Sequence, residues 1–161
     1  STPFDDERKY AATAVSSILG GGDGSRFHFA LIDSGLAEQA ATGIDTHDGY
    51  GEQIAWATCN PNNGEQVIDI MKKEMRSITN AVTQDDLDRV VAKAATESAI
   101  RSERPAGSMK RLGSMMTTNG SYLSLEDELK KIESLTLTDL HSVLEEFPWE
   151  PLFVAMTEHN D

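Results

Sequence analysis

The segment Tyr10-Ala-Ala-Thr-Ala-Val-Ser-Ser-Ile-Leu19, followed at once by Gly20-Gly-Gly-Asp-Gly24, constrains this chain more than any other. Its apolar positions, Ala11, Ala14, Val15, Ile18 and Leu19, keep the i, i+3, i+4, i+7, i+8 spacing of an amphipathic helix. Gly20 to Gly22 are then expected to end that helix, because glycine takes the left-handed cap conformation without a Cβ penalty. A phosphate cradle would need a strand feeding the loop, bare N–H groups facing the anion and a cation at the next helix start. Here a helix feeds the loop, and neither G-x-x-x-x-G-K-[ST] nor G-x-G-x-x-G is present. Asp23 also brings a negative charge into it. The glycines read as a helix-to-helix turn.

The remaining periodicities predict a chain whose helices and strands are segregated. The first helix is expected from about Asp5 or Asp6, acidic at its positive end, to Leu19. Ser25 can cap a short second helix through Phe27, Ala30, Leu31 and Ile32, ended by Gly35. Glu38 to Asp48 is small and polar around Ile44, Gln53 to Cys59 is β-rich, and "HDGYG" between them reads as a turn. This predicts an antiparallel hairpin, with Trp56 on one face beside Ile54 and Thr58 and at least partly covered by helix. "NPNNG" breaks the chain before a helix through Val67, Ile70, Met71, Met75 and Ile78. Thr83 with Asp86 caps the next, through Leu87, Val90, Val91, Ala94 and Ala95.

Pro105 and Gly107 interrupt that helix before Met109 to Met116 resume it. Ser124-x-x-Asp127 and Thr136-x-x-Asp139 open two more helices, through Leu129, Ile132 and Leu135 and then Leu140, Val143, Leu144 and Phe147. "FPWEP" ends the last one, and Leu152 to Met156 is expected as a final buried strand. The class is α+β, a small mainly antiparallel sheet packed with several helices, with no internal repeat. Three strands are few for this many helices, so a further strand is expected to join at an edge.

Chemistry-bearing patterns are scarce. At 161 residues, 39% hydrophobic and 25% charged, the chain suits one soluble domain with a core. Its net charge of −13 argues against a nucleic acid or an anionic membrane as partner. No apolar run reaches the roughly 20 residues of a membrane span. The single cysteine, Cys59, sits in the strand reading as a small core residue and cannot form an internal disulfide. None of His28, His47, His141 and His159 makes H-E-x-x-H or H-x-x-E-H, although His141-x-x-x-Glu145 has one-turn spacing. "GDGSRF" lacks the final glycine and the strand of a serine elbow. The methionines read as core filler, and Glu126-Asp127-Glu128 as a solvated helix face. No catalytic and no metal-ligating residue is assigned.

Four segments in order resemble one family. They are "AATAVSSILGGGDGSRFHFALIDSGLAEQA", "WATCNPNNGEQVIDIMKKEM", "VTQDDLDRVVAKAATESAIRSERPAGSMKRLG" and "SLEDELKKIESLTLTDLHSVLEEF". Together, over roughly Asp5 to Glu158, they resemble the pitrilysin-type zinc metallopeptidases, the inverted zincins that include insulysin and the mitochondrial processing peptidase. The resemblance implies α+β subdomains paired into lobes that close around a peptide, with zinc in the first subdomain of the active lobe. This chain resembles the subdomain that follows and carries no metal motif. Residues 1–161 are therefore expected to be a single non-zinc-binding subdomain, excised from a longer chain and lacking its first strand.

The resemblance further implies a parent zinc metalloendopeptidase in which this part is not itself catalytic, shapes the chamber and contributes to peptide binding. The alternative is a structural or assembly module of an inactive relative of the processing peptidase. Cofactors are none in this part and zinc in the parent's catalytic subdomain. Expected partners are other subdomains of the parent, a peptide or protein substrate and, through an open strand edge, a second copy. Expected surroundings are a bacterial-type cytoplasm or periplasm, or an organelle matrix. A glycine-rich loop touches substrate in some relatives, which makes Gly21, Gly22, Gly24, Ser25 and Arg26 the candidate peptide contacts. At the positions of the family's substrate-holding arginine and tyrosine, in R-x-x-x-G-L-x-Y, this chain has Leu31 and Glu38, so that role does not carry over.

Overall fold

The computed structural model describes residues 8–47, 50–102, 124–149 and 152–157. In chain order it contains α1 (Lys9–Gly20), a π-type turn (His28–Ile32), the strands β1 (Gln39–His47) and β2 (Tyr50–Thr58), and one 3-10 turn (Pro61–Asn63). Then follow α2 (Gly64–Ala81), α3 (Gln84–Ser102), α4 (Leu125–Glu133) and α5 (Leu137–Glu146). The α+β class read from the sequence holds. The expected helix start at Asp5 or Asp6, the tip of the "HDGYG" turn, the Pro105–Gly107 interruption and Met109 to Met116 lie outside the described residues.

Helix α1 buries more than its predicted stripe: Ala12, Ser16 and Gly20 are covered along with Ala11, Ala14, Val15, Ile18 and Leu19. The reason is its place, since it contacts β1 and all four other long helices. Phe27, Leu31, Ile78, Leu140, Val143 and Leu144 complete the same core. On α2, Val67, Met75 and Ile78 are buried while Ile70 and Met71 pack at the core's margin. The Thr136 capping box forms in full, with Asp139 N–H donating to Thr136 Oγ1 at 3.3 Å and Thr136 N–H donating to Asp139 Oδ2 at 2.8 Å. The hydroxyl and backbone N–H of Thr136 hold the Asp139 carboxyl below its usual value. Ser124 Oγ likewise accepts from Asp127 N–H at 3.0 Å. Among the described residues no helix is long and apolar enough to cross a membrane.

The hairpin is antiparallel, paired from Gln39↔Thr58 to His47↔Tyr50. Side chains alternate across it. Ala40, Ile44, Ala55 and Ala57 pack on the core, and Thr42 on their face is bonded to α1. Small side chains are needed there because α1 comes so close: a Cβ on Gly20 would lie 2.7 Å from Thr42 N and 3.0 Å from the Ala41 carbonyl carbon. Gly20 is thus required by a close approach rather than by its own dihedrals. The left-handed positions are further on, at Gly22 (φ 92°) and Gly24 (φ 80°).

Three sequence expectations need correction. Trp56 does share a face with Ile54, but it is the open face, and both side chains are 47% exposed. The helices cover the alanine side instead, because only small residues allow α1 its contact. Leu152 to Met156 is not a strand: among the described residues the sheet has two strands, and Phe153 is 95% exposed. An apolar β-forming run becomes a strand only when a neighbour supplies its ladder, and neither of the described strands pairs with it. Cys59 stands just past the end of β2, partly buried against the core, rather than within the strand.

Candidate functional site

The glycine-rich turn is fastened at both ends. Gly21 N–H donates to Ser17 O at 2.9 Å, continuing the last turn of α1, and Ser25 N–H donates to Gly22 O at 3.0 Å. The buried Ser25 offers its Oγ to His28 N–H at 3.3 Å, as expected of a cap. The short helix it opens closes as a π-type turn, Asp33 N–H donating to His28 O at 3.0 Å, and ends at left-handed Gly35 (φ 71°). Between the anchors, Gly22, Asp23 and Gly24 are exposed.

Arg26 turns inward. Its guanidinium donates to Ala81 O and to Ser77 Oγ, the latter at 3.5 Å, and lies 3.6 Å from Asp86 Oδ2. Asp86 is 8% exposed yet well supplied with donors. It accepts from Thr83 N–H at 3.0 Å, from Thr83 Oγ1 at 2.9 Å and from Arg89. Burial would raise its carboxyl, but the bonds from Thr83 and Arg89 and the charge of Arg26 together hold it below the usual carboxylate value. Lys93, one turn beyond Arg89 on α3, donates to Gly21 O. A cleft of ≈ 230 Å³ results, with Asp23, Gly24, Ser25, Asp86, Arg89 and Lys93 among its walls.

Of the five predicted contacts, Gly22 and Gly24 present free surface, whereas Gly21, Ser25 and Arg26 hold the loop in place. Sequence reading missed Arg89 and Lys93. The Thr83–Asp86 box was legible, but its ties to Arg26 and the loop depend on packing across more than fifty residues. Leu31 is fully buried in the core and Glu38 is exposed, its N–H donating to Thr58 O at 2.8 Å.

The donor set does not fit zinc. His28 has Asp23 3.7 Å from Nδ1 and Asp33 3.3 Å from Nε2, on opposite sides of the ring, so the three cannot share one ion. Among the described residues no group of three or more histidine, cysteine or carboxylate side chains could hold a metal.

Residues 1–94 match the family described as the Peptidase M16 inactive domain. The chain belongs to that family. An uncharacterised zinc protease of Streptomyces coelicolor is 27% identical to this M16 domain over 140 residues, covering 86% of it and 30% of the relative. The fold is shared with a protease from Helicobacter pylori at a TM-score of 0.79 and 22% identity, over 89% of this chain and 35% of that one. A Peptidase M16 inactive domain from Pseudomonas fluorescens gives 0.69 and 23%, over 89% of this chain and 35% of that one. The M16 domain thus spans about a third of each of these three chains, the remainder being other parts of larger molecules. The metallopeptidase resemblance carried by the glycine turn, the hairpin and the capped helices is the right one.

Proposed function

We propose that this M16 domain is the non-catalytic part of a zinc metallopeptidase, shaping the chamber in which the parent protein holds a peptide and contributing to its binding. The observation that most supports this is the family match together with the 30% share of a relative named as a zinc protease. Zinc and the bond-breaking step belong to another domain of the parent. In this reading the exposed arc Gly22 to Gly24 meets the peptide through its backbone, and Gly21, Ser25 and Arg26 keep the arc rigid. The outer edges of β1 and β2 take up a strand from a neighbouring subdomain, or from a second copy or an added peptide when the domain stands alone.

The test is deletion of this domain from the parent. Loss of peptide cleavage with zinc content retained supports the proposal; unchanged cleavage, or a parent without H-x-x-E-H, overturns it. Leu31 and Glu38, in place of the family's arginine and tyrosine, favour a second reading, a scaffold in an inactive relative. A parent that carries the zinc motif and cleaves peptides removes that reading.

A further inference from the structure

The last carbonyls of a helix have no partner in the helix's own ladder, and they carry its negative end. A cation within the last turn often serves them, but Ser17 to Gly20, which close α1, include none. The chain then leaves the helical path, because Gly22 is left-handed (φ 92°). Among the described residues no backbone N–H donates to Gly21 O. Its donor comes from another helix, the ammonium of Lys93 on α3, 72 residues further along the chain. Lys93 thus caps α1 from outside.

Asp86, Arg89 and Lys93 follow one another at the three- and four-residue steps that share a helix face. In a sequence such a row reads as a solvated stripe. Here both of its ends reach the glycine turn: Asp86 lies 3.6 Å from Arg26, just beyond the arc, and Lys93 holds Gly21, just before it. Seven residues of helix rise about 10.5 Å, so α3 sets the span between the two ends. The arc itself has little to hold it. A Cβ added to Gly22 would meet only Lys93 Nζ, at 3.7 Å, and one added to Gly24 would meet nothing within 4 Å. We propose that Lys93 is a positioning residue, which by capping α1 from α3 fixes Gly22 to Gly24 in the conformation that receives a peptide. The proposal rests on the peptide-holding role above and names the residue that prepares the arc for it.

The test is nitrogen-15 relaxation of the 161-residue protein beside two variants. Lys93→Met keeps the apolar stem and loses the ammonium, and Lys93→Arg keeps a cationic donor. In Lys93→Met the backbone order parameters at Gly22, Asp23 and Gly24 should fall from about 0.85 to below about 0.6, while those of α1 and α3 stay as they are. Lys93→Arg should recover most of the loss. In the parent protein, Lys93→Met should raise KM for peptide cleavage about three- to tenfold at retained kcat, as for a site competent a third to a tenth of the time. An arc already mobile in the wild type, unchanged order in Lys93→Met, or no recovery in Lys93→Arg overturns the proposal. An unchanged KM in a parent whose cleavage still depends on this domain removes the positioning role alone. Cleavage that survives deletion of the domain removes the peptide-holding role itself, and this proposal with it.

Discussion

Ser16 and Thr42 are joined twice across the contact between α1 and β1. Ser16 Oγ donates to Thr42 Oγ1 at 3.0 Å, and the same Thr42 hydroxyl donates to Ser16 O at 2.6 Å. Ser16 is 5% exposed, so its hydroxyl has little access to water. Thr42→Val keeps the shape and strands that hydroxyl, at a cost of about 1–3 kcal/mol. Urea denaturation should show the midpoint falling with an unchanged slope; an unshifted midpoint would mean that water replaces Thr42.

Gly20→Ala tests the closeness of the same contact. Alanine gains about 1 kcal/mol over glycine in a helix interior. Here its Cβ would meet backbone atoms of β1 at 2.7 and 3.0 Å, which cannot swing aside. Overpacking of this kind costs about 1–3 kcal/mol, so a lower melting temperature is expected in spite of the better propensity. A raised one would show that helix and strand can part freely.

Asp86 carries a pH dependence of definite sign. Its folded carboxyl is held below the usual value, so folding favours the charged form. That contribution is complete above the unfolded pKa of about 3.9 and is lost as pH falls through the lower folded value. Chemical denaturation between pH 6 and 2 should therefore show Asp86→Asn losing less stability on acidification than the wild type does. Parallel curves for the two proteins would remove Asp86 from the acid response.

At the start of α5, Thr136→Ala removes the acceptor for Asp139 N–H and the hydroxyl donor to its carboxylate. Loss of such a cap costs about 0.5–2 kcal/mol. Thr136→Ser should restore most of it, as read by thermal unfolding. Equal losses in both variants would point to the threonine methyl instead.

Elemental analysis of the chain, after chelator treatment and zinc reconstitution, should find well under one zinc per molecule. The four histidines make no H-E-x-x-H or H-x-x-E-H pair, and a structural or catalytic site needs three or four convergent ligands. About one tightly held zinc would overturn the assignment of the metal to another domain.

Much of the fold was legible because its signals are local. The spacing of Ala11 to Leu19, the boxes at Thr83 and Thr136 and the β texture around Trp56 each act within a few residues, and each produced its element. What the sequence hid is relational. Nothing in Gln53 to Cys59 says which face α1 will take, and the large residues invited the wrong answer for Trp56. The run Leu152 to Met156 has strand composition but not the neighbour that would make it one. At the glycine turn, the loop was legible from its composition, whereas Arg89 and Lys93 lie on another helix and become part of the cleft only through packing.

The central place of α1 also has a consequence in time. It leaves the ribosome early, yet α5, which covers part of it, and whose Glu146 and the following Phe147 meet Arg8, is synthesised about 130 residues after it. At synthesis rates of about 5–20 residues per second, that delay is on the order of ten seconds. During it Val15, Ile18 and Leu19 await their final neighbours, so the nascent chain spends its most vulnerable interval with its central helix only half enclosed.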